Sequence, residues 1–228
     1  MNPELKLLGI SQKTYDFVKS CENSLGNIYE GIEANEAYTQ ARVLKAFQDN
    51  CIALRHFAPT SGYGYDDIGR EALGAVFACA LEAEDALVRP QISSGTQAIF
   101  TALSGLLEPG DVMLSLTGKP YDTLEKAIGI SGDEYCSLKR MGVIYRQVDL
   151  TADGHIDIDA AKAAITGSEK VIYFQRSRGY SWRNALTPEE MAPVFDMAKK
   201  LAPNAFVVVD NCCLLYTSPS PRDRQKSR

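Results

Sequence analysis

A short polar segment, Ser93-Ser94-Gly95-Thr96-Gln97, follows an apolar run and opens a stretch of helical character. The start of a helix offers unpaired N–H groups and the positive end of the helix dipole, and a glycine there lets an anion approach the backbone. The hydroxyl groups add further donors. Ser94, Gly95 and Thr96 are therefore candidates for holding a phosphate, and ordinary helix capping by Ser and Thr is the alternative.

Two more candidates lie where apolar strands end. Asp210 directly follows the run FVVV, and a carboxylate at the end of a central strand can pair with a protonated ring nitrogen. Tyr121 can lay its ring on a planar heterocycle and present its hydroxyl for proton transfer, which makes it the catalytic candidate. The alternatives are a carboxylate that caps a helix or pairs with arginine, and a core tyrosine. Lys119 resembles a solvated lysine more than one that binds a cofactor covalently.

A loop over residues 175–183, QRSRGYSWR, holds three arginines, one of which is Arg178. Forked guanidinium groups suit the recognition of carboxylate or phosphate. A solvated basic loop is the alternative. Tyr180 and Trp182 are costly to leave exposed, so neither reading is preferred from the residues alone.

These segments are positioned by alternating strands and helices in the second half of the chain. Apolar strands of this length between amphipathic helices predict a mainly parallel sheet covered on both faces, an α/β fold. Ligands of such folds bind beyond the carboxyl ends of the strands. The segments then converge on one planar ligand with an anionic group and a cationic ring, a description that pyridoxal 5′-phosphate (PLP) meets. The predicted strands cover residues 86–92, 112–117, 143–150, 170–175 and 206–210.

The first part of the chain is different in character. Helical spacing over residues 4–20 and 24–54 predicts a helical arm, which we assign to residues 1–60. The PLP-binding large domain is expected to cover residues 61–212 and to be incomplete. Residues 213–228 are basic, rich in Pro and Ser, and without periodicity.

That final segment, CLLYTSPSPRDRQKSR, has two interpretations. One is a natural disordered basic tail. The other is a sequencing artefact, because Cys213 to Asp223 match the translation of a transposase-type adapter. We expect the second, so that residues 213–228 are a non-native disordered tail and the native sequence stops near Cys212.

Composition excludes several classes of protein. The 228 residues carry a formal net charge of −5, which argues against nucleic acid or an anionic membrane as partner. Apolar runs are too short for a membrane helix and the N-terminus lacks a signal core. The six cysteines and two histidines form no ligand cluster, so no metal is expected. A cytoplasmic protein is the default expectation.

Five longer motifs are specific enough to compare with a known family. The chain resembles the methionine gamma-lyase-related proteins, often labelled aluminium resistance proteins, a branch of the fold-type I PLP enzymes. The likeness extends along nearly all of residues 1–212, although relatives usually carry His where this chain has Gln97. The motifs are SGYGYDDIGRE (61–71), ISSGTQAI (92–99), LTGKPYDTL (116–124), FQRSRGYSWR (174–183) and VVDNC (208–212).

The resemblance implies roles for the matching positions. Ser94, Gly95 and Thr96 would bind the PLP phosphate, Tyr121 would stack on the ring, and Asp210 would pair with the ring nitrogen. Arg178 would lie near the phenolic oxygen of PLP or the substrate carboxylate. A tyrosine of a neighbouring subunit, matching Tyr63 or Tyr65, would reach the phosphate.

The resemblance also implies a reaction and an assembly. The full-length enzyme would be a carbon–sulfur lyase of the transsulfuration type that acts on a sulfur-containing amino acid as a homodimer or homotetramer. The lysine that binds PLP is expected a few tens of residues after Asp210, outside this chain, so the fragment itself would be inactive and would fold poorly alone. An aminotransferase, an aldolase or a non-catalytic PLP-binding protein are the alternatives.

Overall fold

The computed structural model describes residues 3–63, 65, 67–132 and 134–211. The expected non-native tail lies outside these residues. The chain divides into two compact units, with the boundary between Leu87 and Val88. Each unit is described by itself, and the expected division at residue 60 stays a prediction.

The N-terminal unit is helical. One predicted helix, residues 4–20, is wrong: the chain breaks after Leu7 because Gly9 turns with a φ of +68°, and the helix restarts behind the Ser11 cap. A matching cap, Asp67, accepts from the N–H of Arg70 at the start of the last helix. The helices are α1 (Pro3–Leu7), α2 (Gln12–Ser24), α3 (Gly26–Asp49), a 3₁₀ turn (Leu54–Phe57) and α4 (Ile68–Leu81).

The C-terminal unit alternates helices and strands. Its four strands are all parallel and lie in the order β2-β1-β3-β4, which confirms the predicted α/β fold. The elements are α5 (Gly95–Leu106), β1 (Val112–Ser115), α6 (Asp122–Ile128), β2 (Ile144–Gln147), α7 (Ile158–Ala164), β3 (Glu169–Gln175), α8 (Pro188–Leu201) and β4 (Phe206–Asp210).

Alternate side chains of the central strands face two separate cores. On one face, Tyr173 of β3 packs with Leu103 of α5 and Leu124 of α6. On the other face, Phe174 packs with Val194 of α8 in a cluster that also includes residues of α7. Helices therefore cover both faces, as predicted, because successive residues of a strand point to opposite sides of the sheet.

One predicted strand is wrong. Residues 86–92, ALVRPQI, form no strand, and Leu87 is 70% exposed. A strand needs a hydrogen-bonded neighbour, and within the part of the chain that the structure describes this segment pairs with none. Pro90 also removes one backbone donor. Apolar composition alone was an insufficient signal here.

The amino end of β3 is closed by a buried carboxylate. Glu169 has a fully buried side chain, and its oxygens accept from the N–H and hydroxyl of Thr166, the N–H of Gly167 and the guanidinium of Arg146, all at 2.8–3.2 Å. Burial by itself raises the pKa of this carboxyl, but the hydrogen bonds outweigh it and hold the pKa below its ordinary value.

Candidate functional site

Four polar side chains are buried together at the opposite, carboxyl end of the sheet. They are 5% exposed or less. The Ser115 hydroxyl donates to Gly118 O at 2.6 Å, and the Thr117 hydroxyl oxygen accepts from the backbone N–H of Gln175 at 2.8 Å. These side chains face the side of the sheet that α5 and α6 cover, because they continue the alternation of that core. We call Ser115, Thr117, Gln175 and Asp210 the polar edge.

Asp210 ends β4 and is 2% exposed. The phenol of Tyr173, on the adjacent strand, donates to Asp210 Oδ2 at 3.0 Å, also in a buried position. Burial, followed by the charge of Asp210, raises the pKa of the Tyr173 phenol, so it stays a donor. Asp210 is therefore a buried carboxyl group that the phenol of Tyr173 orients.

The phosphate candidates lie at the first turn of α5. Ser94 is the N-cap and accepts from the N–H of Gln97 at 3.1 Å, while the Gln97 side-chain oxygen accepts from the N–H and hydroxyl of Ser93. Helix geometry leaves the N–H groups of Gly95 and Thr96 without an intrahelical acceptor. This turn therefore presents two backbone donors and the Thr96 hydroxyl, and Gln97 rather than His completes the cap.

Tyr121 is joined to that turn. Its hydroxyl donates to Thr96 Oγ1 at 3.0 Å, and Thr96 Oγ1 lies 3.1 Å from the Thr123 hydroxyl oxygen. Its backbone N–H donates to Gln175 Oε1 at 2.9 Å. Tyr121 thus spans the distance between the first turn of α5 and the polar edge, where Gln175 is in register with Asp210.

The three arginines of the loop after β3 have different environments. Arg183 donates to Ser177 O within the loop, whereas Arg176 donates both to Leu186 O within the loop and to Asn211 Oδ1 just after β4. Burial lowers the pKa of both guanidinium groups. Arg178 is exposed. Arg178 is therefore the arginine of this loop best placed to meet a ligand.

A cavity of about 480 Å³ opens beside Tyr121. Lys119 and Glu125 pair across part of its wall at 3.1 Å; a hydrogen bond from Ser131, then the contact with Lys119, hold the pKa of Glu125 below its ordinary value. Cationic and anionic groups thus line the same space. The lining includes Lys119, Tyr121, Asp122, Glu125, Gln175, Arg178 and Arg183.

The structure brings most of the predicted residues into one region. Ser94, Gly95 and Thr96 connect through Tyr121 and Gln175 to the strand end that carries Asp210, and Arg178 lines the cavity at Tyr121. Their roles stay predictions. Tyr63 and Tyr65, one of which is expected to reach the phosphate of a neighbouring subunit, belong to the N-terminal unit and are both 83% exposed.

Sequence reasoning missed three side chains that the geometry places at the site. Tyr173 and Gln175 lie on the face of β3 that α5 and α6 cover, and the hydroxyl of Thr123 contacts that of Thr96. The alternation of side chains along KVIYFQ could have predicted that residues 173 and 175 share one face of the strand, near its carboxyl end. The identity of their partners required the register of the neighbouring strands.

Comparison with known proteins decides the family. The methionine gamma-lyase family profile matches residues 14–218. The chain belongs to this family. Protein YnbB of Bacillus subtilis, a relative, is 45% identical over 192 residues, which cover 84% of this chain and 46% of YnbB.

Solved structures agree with the methionine gamma-lyase family assignment. A carbon–sulfur lyase involved in aluminum resistance from Clostridium novyi superposes with a TM-score of 0.86 at 37% identity, over 96% of this chain and 53% of that one. A Bacillus cereus protein gives a TM-score of 0.86 at 41% identity, over 95% and 52%. The chain spans about half the length of the relatives it matches. The likeness in fold accords with the parallel sheet and the two covered faces of the C-terminal unit.

Among the described residues, no group of three or more His, Cys, Asp or Glu side chains is arranged to hold a metal ion. None of the helices in the described ranges is both long enough and apolar enough to cross a membrane.

Proposed function

We propose that this chain is the cofactor-binding part of a PLP-dependent carbon–sulfur lyase that acts on sulfur-containing amino acids. One observation carries the proposal: hydrogen bonds of Tyr121 to Thr96 and to Gln175 connect the first turn of α5, where we propose that a phosphate binds, to the strand end that carries the buried Asp210. Those are the three anchors that a phosphorylated pyridine ring needs, and membership of a lyase family supports the same conclusion.

The residues present fit PLP. Ser94, Gly95 and Thr96 would hold the phosphate with backbone and hydroxyl donors, Tyr121 would stack on the ring, and Asp210 would hold the proton of the ring nitrogen. When bound, PLP supplies an electron sink that stabilises negative charge at the α carbon of an amino acid. The contribution of this chain is to orient the ring and to keep its nitrogen positive.

The cavity beside Tyr121 suits a zwitterionic substrate. Arg178 would meet a carboxylate, and the carboxylates of Asp122 and Glu125 offer acceptors for an ammonium group. Tyr121 lines this cavity, and its hydroxyl would take or give a proton once a ligand displaces its bond to Thr96. Release of a thiol from the β or γ carbon would complete the reaction.

Activity requires more than these residues. Lys119 Nζ is paired with Glu125, so we assign the lysine that binds PLP to the part of the whole protein beyond this chain and propose that the chain alone is inactive. The whole protein would be cytoplasmic and would form a homodimer or homotetramer. Exposed aromatic side chains on the arm, such as Phe17 at 69%, and Trp182 at 99%, support a covering subunit or segment.

The test uses the whole protein. Purified with PLP, it should develop a visible absorbance band, and cystathionine or methionine should yield thiol and 2-oxo acid in equal amounts. A 2-oxo acid formed without thiol would indicate an aminotransferase instead. A folded preparation that shows no band with excess PLP would reject PLP binding altogether, and a band without turnover would favour a non-catalytic PLP-binding protein.

A further inference from the structure

Gln175 is a buried amide that the proposed chemistry does not itself require. It is the last residue of β3, which is paired with β1 on one side and β4 on the other, and it is 5% exposed. Glutamine is mostly an exposed residue, and a buried amide is retained where its hydrogen bonds are satisfied. Its contacts show what holds it there.

The residue makes three hydrogen bonds to two different loops. Its side-chain Oε1 accepts from the N–H of Tyr121 at 2.9 Å, and its Nε2 donates to Ser177 O at 3.1 Å. Its own N–H donates to Thr117 Oγ1 at 2.8 Å. Gln175 therefore joins both ends of the loop between β1 and α6 to the loop that carries Arg178.

The amide group is matched to this position. The N–H of Tyr121 requires an acceptor and the carbonyl of Ser177 requires a donor, so the orientation of the amide is determined by its partners. A carboxylate in its place would keep the first bond, lose the second and add a negative charge next to Asp210 in the strand register. An apolar side chain would leave the N–H of Tyr121 without this acceptor and would leave Arg183 as the donor to Ser177 O.

These contacts hold Tyr121 at two points. Gln175 holds its backbone N–H and Thr96 holds its hydroxyl, so the position of the axis from Cβ to the hydroxyl is set before any ligand binds. The loop after β3 lies against the same place: a Cβ added to Gly179 would be 3.8 Å from Tyr121 Cβ and 3.6 Å from Gln175 Nε2. Groups ordered in advance cost less to bind a ligand.

We infer that Gln175 is a positioning residue that holds the Tyr121 ring in place for the cofactor and couples it to the loop carrying Arg178. The part that concerns PLP depends on the proposed function. The part that concerns Tyr121 depends only on the contacts of the chain and can be measured without PLP.

The experiment compares Gln175→Met and Gln175→Glu in the whole protein. Amide hydrogen exchange without PLP should be about tenfold faster over residues 117–122 in Gln175→Met, because the acceptor for Tyr121 is lost. Gln175→Glu keeps that acceptor, so exchange should rise mainly over residues 176–183. The Kd for PLP, from absorbance titration, should rise about tenfold in the first variant and about threefold in the second.

Gln147→Met is the matched control, since Gln147 ends β2 and also bonds through its amide, to Tyr145 and Asp149. It should leave the Kd for PLP and the exchange of residues 176–183 unchanged. Unaltered exchange over residues 117–122 in Gln175→Met overturns the inference, and so does faster exchange with an unchanged Kd. A wild-type protein that binds no PLP rejects the proposed function instead, and the exchange data then decide alone whether Gln175 holds the loop.

Discussion

The two ends of β3 both bury polar side chains, but they satisfy them differently. At the amino end, Glu169 takes up hydrogen bonds from Thr166 and Gly167, residues of its own turn, and from Arg146 of β2. At the carboxyl end, Gln175 bonds to Tyr121 beside a cavity, and the phenol of Tyr173 bonds to Asp210 of the neighbouring strand. The hydrogen bonds of Glu169 come mainly from its own turn, whereas those of Gln175 and Tyr173 join parts of the chain that are distant in sequence.

We expect the amino end of β3 to contribute mainly to the stability of the fold and the carboxyl end mainly to ligand binding. A carboxylate surrounded by its own turn stabilises the fold, whereas buried polar groups gathered from several loops are arranged for a ligand at some expense of stability. Substitutions at the amino end should therefore change the free energy of unfolding and leave cofactor affinity unaltered. Substitutions at the carboxyl end should do the reverse.

The largest effect is expected for Glu169→Ala. It removes the acceptor of the N–H groups of Thr166 and Gly167 and of Arg146 Nη1, which we expect to lower the free energy of unfolding by about 3 kcal/mol. Urea unfolding of the whole protein measures this. Asp159→Asn, at an exposed carboxylate, should cost less than about 1 kcal/mol. An equal loss in both variants would contradict the contrast.

Asp210→Asn, at the carboxyl end of the sheet, should have the next largest effect, which is on the Kd for PLP. The amide has nearly the same shape but no charge for a ring nitrogen, so the Kd for PLP should rise about thirtyfold, or about 2 kcal/mol. Stability should stay the same, because the side-chain oxygen can still accept from Tyr173. Asp149→Asn, an exposed carboxylate two residues beyond β2, is the control and should leave the Kd unaltered. A large loss of stability without a change in Kd would assign Asp210 to the fold instead.

Tyr173→Phe should weaken PLP binding by about tenfold, because Asp210 loses the phenol that orients it. Tyr145→Phe removes a phenol from β2 that donates to Gln147 Oε1 and should leave the Kd within about twofold. Absorbance titration compares the two. If both variants bind PLP as the wild type does, the bond between Tyr173 and Asp210 is only structural.

The smallest effect expected is a pH dependence at the amino end. The pKa of Glu169 in the folded protein lies below its ordinary value of 4.5, so at acid pH the unfolded chain binds more protons than the folded one. Its stabilising contribution is complete above pH 4.5 and is lost as pH falls through the lower, folded pKa. Between pH 3 and 6, the free energy of unfolding in urea should depend less steeply on pH in Glu169→Gln than in the wild type. If the free energy of unfolding changes with pH equally in both proteins, the Glu169 carboxyl is not the source of the pH dependence.

Much of the site was predictable because it follows strand ends. Asp210 ends β4 and Tyr121 lies in the loop after β1, and parallel strands bring their carboxyl ends to one edge. Ser94 and Thr96 were predictable from the capping pattern at the start of α5 instead. The segment 86–92 was mispredicted for the opposite reason. A strand exists only with a paired neighbour, and no local pattern reveals whether one is present.

The sequence by itself determined the alternation of elements, the helix caps and the set of residues that share a face, because these depend on neighbours within a few positions. Only the tertiary structure decided that Gln175 receives the N–H of Tyr121 and that Tyr173 bonds to Asp210. Such partners are 37 and 54 positions apart, so they are set by strand order and register, which arise when the whole sheet packs.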